Sequence, residues 1–219
     1  MNDVDILKKI EKKVLWLACW MIHNANHIRE NQDGLKVGGH QASSASIVSI
    51  MTTLYFSILK PEDRVAVKPH ASPVFHAIQY LSGLQTKEKI QNFRGFGGAQ
   101  SYPSRTKDID DVDISTGSVG LGVAMTSFIS LIQDYIARKK FYNNRQLGRM
   151  IALVGDAELD EGNVYECLQE GWKHDLRNVW WIIDYNRQSL DGVVHEGLSE
   201  RLSSVSVSYT HLRAHETRS

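Results

Sequence analysis

Asp156 and Asn186 lie thirty positions apart, and each follows an apolar run of the kind that forms a buried strand. The first run is Arg149-Met-Ile-Ala-Leu-Val-Gly155 and the second Asn178-Val-Trp-Trp-Ile-Ile-Asp184. A carboxylate and an amide oxygen brought side by side suit Mg2+, a hard cation that takes oxygen ligands and fills its other positions with phosphates and water. The helix expected after Gly155-Asp156 offers backbone N–H groups to a diphosphate. Taken alone, an Asp closing a strand caps the next helix at least as often as it binds a metal. Two histidines, His40 in Gly38-Gly39-His40-Gln41 and His70 in Lys68-Pro69-His70-Ala71, add groups that exchange protons near neutrality, because unperturbed imidazole titrates at about 6.5. A lone histidine beside a turn is more often a hydrogen-bonded structural group, and His23, His27, His76 and His174 are read that way. Cys167 reads as a small buried hydrophobe rather than a nucleophile.

These residues meet only if particular elements carry them. Apolar positions at helical spacing (Ile6, Ile10, Val14, Leu17, Met21) predict a first helix from Asp3 to about Glu30, with Lys8, Lys9, Lys12 and Lys13 on its solvated face. A polar loop, residues 31–40, precedes a second, mostly buried helix over residues 43–59. Arg64 to Lys68 reads as a short strand, and Pro73 sits where the first turn of a helix tolerates a missing N–H. Residues 94–113, rich in Gly and Asp, read as a long loop of the functional or mobile kind. A helix spans residues 118–140 and closes on basic Arg138-Lys-Lys140, which suits its dipole. The strand ending at Gly155, a helix over residues 162–174 and the strand ending at Asp184 make a βαβ unit. Trp180 and Trp181 lie within that last strand and are assigned to the core. The fold class is α/β, a parallel sheet with helices on both faces, and ligands of such sheets sit at the carboxyl ends of the strands.

Composition narrows the function. The 219 residues carry 25 Lys and Arg against 25 Asp and Glu, which excludes a strongly basic nucleic-acid binder and a disordered polyelectrolyte. Cys19 and Cys167 stand far apart without metal-ligand spacing, which fits a reducing, cytoplasmic setting and no disulfide framework. The longest apolar run, Val14 to Ile22, is too short for a membrane span.

Gly155-Asp156-Ala157-Glu158-Leu-Asp-Glu-Gly162, the elements after it and Asn186-Arg-Gln188-Ser-Leu-Asp-Gly192 together resemble the thiamine-diphosphate signature, which runs Gly-Asp-Gly and, a helix and a strand later, Asn. The resemblance covers roughly Leu7 to Leu202. The His40 and His70 segments look like the two histidine segments of transketolase-like enzymes, and Asp113-Ile-Ser-Thr-Gly117-Ser-Val119-Gly-Leu-Gly122 like the loop that packs on the thiamine aminopyrimidine. Asn92-Phe-Arg, Gln100-Ser-Tyr102-Pro103 and Asn186 to Gly192 are most similar to the homodimeric pyruvate dehydrogenase E1 component. The resemblance implies Mg2+ ligands at Asp156, the Asn186 side chain and the Gln188 backbone carbonyl. It implies cofactor contacts at Tyr102, Gly117, Val119, Gly155, Asp156, Ala157, Glu158, Asn186 and Gln188, with His40 and His70 catalytic. Ala157 stands where the signature has its second Gly, and Asp184 where many relatives have Asn. If position 157 needed a left-handed backbone, Ala there would be costly.

The activity this implies is oxidative decarboxylation of pyruvate and acetyl transfer to a lipoyl-bearing E2 acyltransferase, by a homodimer using thiamine diphosphate and Mg2+. A transketolase-like transfer between ketose phosphates, and a non-catalytic truncated module that pairs with an intact subunit, are the alternatives. Residues 207–219 resemble the conceptual translation of a sequencing-library adapter. Residues 1–206 are therefore expected to be a diphosphate-binding domain incomplete at its C-terminus. The Glu that activates the aminopyrimidine in such enzymes would come from a second domain, so this piece alone is expected to be inactive.

Overall fold

The computed structural model describes residues 3–30, 37–141, 146–186, 188, 189, 192 and 193. Helix α1 (Asp3–His23) buries Val14, Ala18, Met21 and Ile22 on one face and leaves the four lysines exposed, as their spacing predicts. Its last turns widen to a π-type segment, Asn24–Ile28. The expected second helix is interrupted: α2 (Gln41–Ala45) and α3 (Val48–Thr53) are separated by a turn at Ser46 and Ile47, and a π-type segment, Leu54–Ile58, follows. At the turn the Ser46 hydroxyl donates to the Ser43 carbonyl at 3.3 Å, the kind of local side-chain bond that competes with helical hydrogen bonding.

Strand β1 is Arg64–Ala66, shorter than expected because Pro69 opens a 3-10 turn, Pro69–Ala71, directly ahead of helix α4 (Ser72–Leu81). Every residue of α4 from Ser72 to Gln79 is buried, and a helix apolar on nearly all sides belongs in the core. Its one ring with nitrogens, His76, is fully buried and bonded on both sides, to Asp110 and to the Gln100 carbonyl at 2.7 Å, so its structural assignment holds. The short helix α5 (Lys87–Gln91), capped by Thr86, has no counterpart in the expectation.

Helix α6 (Leu121–Arg138), strand β2 (Met150–Gly155), helix α7 (Gly162–Lys173) and strand β3 (Val179–Asp184) complete the main unit. β1, β2 and β3 form one parallel sheet in that order, with Ala66 opposite Ala152 and Gly155 opposite Asp184. Alternation along β2 feeds two cores. Ile151 and Leu153 pack with α1, α3 and α4, whereas Ala152 and Val154 pack with Val123 of α6 and Val164 and Cys167 of α7. Helices therefore cover both faces, and Cys167 is the buried hydrophobe expected, its thiol pushed up by burial. Each fully buried Val, Leu, Ile or Phe contributes about 1.5–3 kcal/mol relative to exposure.

Trp180 departs from its core assignment. It is 41% exposed on β3, with the Arg149 guanidinium 4.4 Å from its ring, while Trp181 packs on the α6–α7 core. Trp180 lies near the amino end of β3, opposite Ile151, on a strand whose other edge pairs with no strand among the described residues.

The long loop between α5 and α6 is a loop, but three of its acids, Asp108, Asp110 and Asp113, are internal acceptors. Asp108 takes the N–H groups of Gln100 and Ser104, Asp110 bonds His76 and Gln85, and Asp113 takes the N–H of Val65. Residues 31–36, the residues of the Asn186–Gly192 motif at 187, 190 and 191, and the segment 194–219, including its proposed adapter part, lie outside the described residues.

Candidate active site

The register that sets Gly155 against Asp184 places Asp156 and Asn186 at the same carboxyl edge of the sheet, on neighbouring strands. Asp156 is 1% exposed, and its Oδ1 accepts the Ala157 N–H at 3.0 Å. Asp156–Asp160 forms a 3-10 turn, and Ala157 is not among the residues with positive φ. The departure from Gly therefore carries no backbone strain here. Gly155 is the last residue of β2, and Glu158 turns back to it, Oε2 accepting the Gly155 N–H at 3.0 Å. Its other oxygen accepts the Gly120 N–H at 3.3 Å. Glu158 thus ties the strand-end turn to the loop that enters α6.

That loop holds Val119 in the left-handed region, at φ 62°, with its side chain about half exposed. A β-branched residue rarely adopts that conformation, and strain of this kind is held by its surroundings. Asn163 of α7 donates to the Val119 carbonyl at 2.9 Å. Gly120 follows at φ 72°, where a Cβ would fall 2.6 Å from Asn163 Oδ1 and 2.7 Å from Val164. Gly117 precedes them, partly buried, against Leu121.

On the other side of the strand ends, His40 and His70 stand edge to face with ring centroids 5.6 Å apart, both exposed. Partial burial, then Lys68, His40 and Arg94, push His70 below its ordinary value, which favours the neutral imidazole. The Ser44 hydroxyl donates to the His70 carbonyl at 2.9 Å, anchoring the second histidine segment to α2. Tyr102 is about half exposed on the long loop, and its electrostatic interaction is with Arg94. Gln188 opens the two-residue strand β4 (Gln188–Ser189), which pairs antiparallel with β5 (Gly192–Val193).

Residues missed from the sequence complete the site. Lys68 and Asp184 form an almost fully buried ion pair, and Asp184 also accepts from Ser46 Oγ at 2.7 Å and Asn186 Nδ2 at 3.2 Å. A lysine closing an apolar strand was the available signal for Lys68, since a buried ammonium needs a partner. Arg94, at φ 61°, donates to the Val37 carbonyl at 3.0 Å and lies where a Cβ on Gly38 would fall 2.9 Å from its Nη1.

Among the described residues, no group of three or more His, Cys, Asp or Glu side chains is placed to hold a metal ion. The set expected here has a single carboxylate, and an amide and a carbonyl oxygen beside it fit a cation that retains phosphate and water ligands. No helix among the described residues is long and apolar enough to cross a membrane.

The sequence matches the family described as transketolase, thiamine diphosphate binding domain, over residues 37–212, well over half of the chain. The pyruvate dehydrogenase E1 component of Mycolicibacterium smegmatis is 29% identical over 204 residues, which is 88% of this chain and 21% of that protein. The E1 components of Pseudomonas aeruginosa and Escherichia coli are 28% and 26% identical over 202 residues, again 88% of this chain and 22% of theirs. The chain thus spans about a fifth of the length of the curated relatives it matches. Matched over well more than half of its length, and with the parallel α/β sheet expected of it, the chain belongs to the transketolase family of thiamine-diphosphate-binding domains.

Proposed function

We propose that this chain is the Mg2+- and diphosphate-holding part of an enzyme that oxidatively decarboxylates pyruvate and passes the acetyl group to a lipoyl group on an E2 acyltransferase. The observation that carries the reading is the shared carboxyl edge of Asp156 and Asn186, made by the Gly155–Asp184 register. Asp156, the Asn186 amide oxygen and the Gln188 carbonyl would hold Mg2+. The exposed Val119 side chain would support the aminopyrimidine, and Tyr102, Gly117, Gly155, Ala157 and Glu158 would line or shape the cofactor site. Thiamine diphosphate supplies, when bound, the carbanion chemistry that protein side chains lack. His70, kept neutral, can accept a proton at an imidazole nitrogen and stabilise a developing oxyanion by donating from the other. His40, in edge contact with it, can do the same from the opposite segment.

Pairing with a second copy is part of this reading. On α6, Leu121, Met125, Phe128, Ile132 and Tyr135 repeat at three- and four-residue spacing, and each is 43–58% exposed. Such a stripe is the seam by which helices pair. Arg138, Lys139 and Lys140 stand at its C-terminal end and Glu158, Asp160 and Glu161 follow the strand beside its N-terminal end, so an antiparallel pair of copies sets basic against acidic ends. A cytoplasmic location is the setting consistent with two isolated free cysteines.

The test is the activity of the complete protein that carries this chain. Pyruvate-dependent, thiamine-diphosphate-dependent release of carbon dioxide with acetylation of lipoamide supports the reading. Ketol transfer between ketose phosphates with no turnover of pyruvate replaces it with the transketolase reaction, and neither activity with intact assembly replaces it with a binding module. Residues 1–206 alone are expected to release no carbon dioxide.

A further inference from the structure

Lys68 and Asp184 are 5% and 3% exposed, and they pair across the top of the sheet. The order β1-β2-β3 means that Lys68, two residues past β1, reaches over the end of β2 to the last residue of β3. Among the described residues, three side-chain donors at Asp184 converge on one oxygen, Oδ2: Lys68 Nζ, Ser46 Oγ at 2.7 Å and Asn186 Nδ2 at 3.2 Å. Asn186 Nδ2 also lies 3.3 Å from Ser46 Oγ, and the Asn186 backbone N–H donates to the Asp184 carbonyl at 3.0 Å.

An asparagine amide has two ends of nearly the same shape, one donating and one accepting, and only the accepting end ligates a cation. The hydrogen bond here runs from Asn186 Nδ2 to Asp184 Oδ2, so the end of Asn186 that faces Asp184 is its NH2. The amide oxygen is then directed away from Asp184. A neutral Asn at position 184 would offer both a donor and an acceptor and would accommodate either orientation. Burying an extra carboxylate requires a counter-charge, which Lys68 provides. The departure at position 184 and the buried lysine are thus two halves of one arrangement.

We propose that Asp184, paired with Lys68 and bridged by Ser46, is a positioning residue that fixes the Asn186 amide with its oxygen toward the Mg2+ site. The proposal rests on the reading of Asn186 as a cation ligand. Neither Asp184 nor Lys68 touches the cation in this arrangement. They act through Asn186, as the residues behind metal ligands commonly do, with effects of about ten- to a hundredfold on metal affinity.

The experiment is Mn2+ binding, read by electron paramagnetic resonance, to the complete protein in the presence of thiamine diphosphate. The variants are Lys68→Gln/Asp184→Asn, which removes both charges together and strands neither, Ser46→Ala, which changes no charge, and Asn186→Ala. Affinities are compared at a temperature where circular dichroism shows each variant folded. The double variant should weaken Mn2+ about tenfold, and Ser46→Ala, which loses one bridge, about threefold. If the double variant does not fold, Ser46→Ala carries the test alone. Unchanged Mn2+ affinity in these variants, with Asn186→Ala still weakened, overturns the positioning role. Unchanged affinity in Asn186→Ala overturns instead the ligand assignment beneath it.

Discussion

Glu158 Oε1 accepts the backbone N–H of Gly120 at 3.3 Å, so a side chain on the turn after β2 holds the loop that presents Val119, thirty-nine positions earlier in the chain. Its Oε2 serves the Gly155 N–H at the same time. The two halves of the proposed cofactor cradle are therefore coupled through one carboxylate. Glu158→Ala removes the acceptor of two amides and should destabilise the domain by about 1–3 kcal/mol, measured as a lower urea midpoint. The same variant should bind thiamine diphosphate more weakly, because the loop that presents Val119 then loses its tie to the strand-end turn and keeps the Asn163 bond to the Val119 carbonyl. An unchanged midpoint and unchanged binding would show that the two turns are held independently.

The Asp63–Arg149 pair closes the opposite, amino-terminal end of β1 and β2. Burial pushes the Asp63 carboxyl up, but the Arg149 side chain, the N–H groups of Lys60 and Arg149 and the Arg149 charge outweigh it and hold it at about 2. A carboxyl whose folded value lies below its unfolded value of about 3.9 contributes stability that is fully present above the unfolded value. That contribution is lost as the pH falls from about 4 toward 2. It amounts to about 2 kcal/mol, so the stability of Asp63→Asn should fall less steeply than that of the unsubstituted protein across this window. Parallel acid-unfolding curves for the two proteins would contradict the assignment.

His70 behaves in the opposite sense. Burial, followed by Lys68, His40 and Arg94, lowers it from its ordinary 6.5, so the neutral, proton-accepting form persists below that pH. In the complete enzyme, the acidic limb of kcat/KM assigned to His70 should lie below pH 6.5 and disappear in His70→Asn together with most of the rate. A limb at or above 6.5 that survives the substitution would remove His70 from the proton-transfer role.

The apolar stripe on α6 yields a test of assembly. Phe128 is half exposed at its centre. Placing a charge there by Phe128→Glu should shift the complete protein from dimer to monomer in sedimentation velocity, with its circular dichroism spectrum unchanged. A dimer that persists at the same concentration would place the self-contact elsewhere.

Much of this site is legible in the sequence because its elements are local. The apolar run of β2, the helical spacing of α1 and the βαβ order each follow from patterns of a few residues, and the strand ends then place Asp156 and Asn186. Other features depended on contacts between distant positions. Lys68 and Asp184 are 116 positions apart, and nothing in either segment announces the other. The break at Ser46 in the second helix is unremarkable in sequence, yet it delivers the hydroxyl that bridges Asp184 and Asn186. Trp180 misled by its apolar neighbours, because an apolar run does not say how fully each of its positions is covered. The acids at Asp108, Asp110 and Asp113 read only as part of a long loop, and the fold of that loop is what makes them internal acceptors.

The central claim is that the Asp156–Asn186 edge holds Mg2+ and, through it, the diphosphate of thiamine diphosphate. Isothermal titration of thiamine diphosphate into the complete protein, with and without Mg2+, and into its Asp156→Ala variant tests that claim most directly. Saturable binding that requires Mg2+ and is lost in Asp156→Ala is the predicted result. Binding of the same affinity in the variant, or binding indifferent to Mg2+, would contradict it.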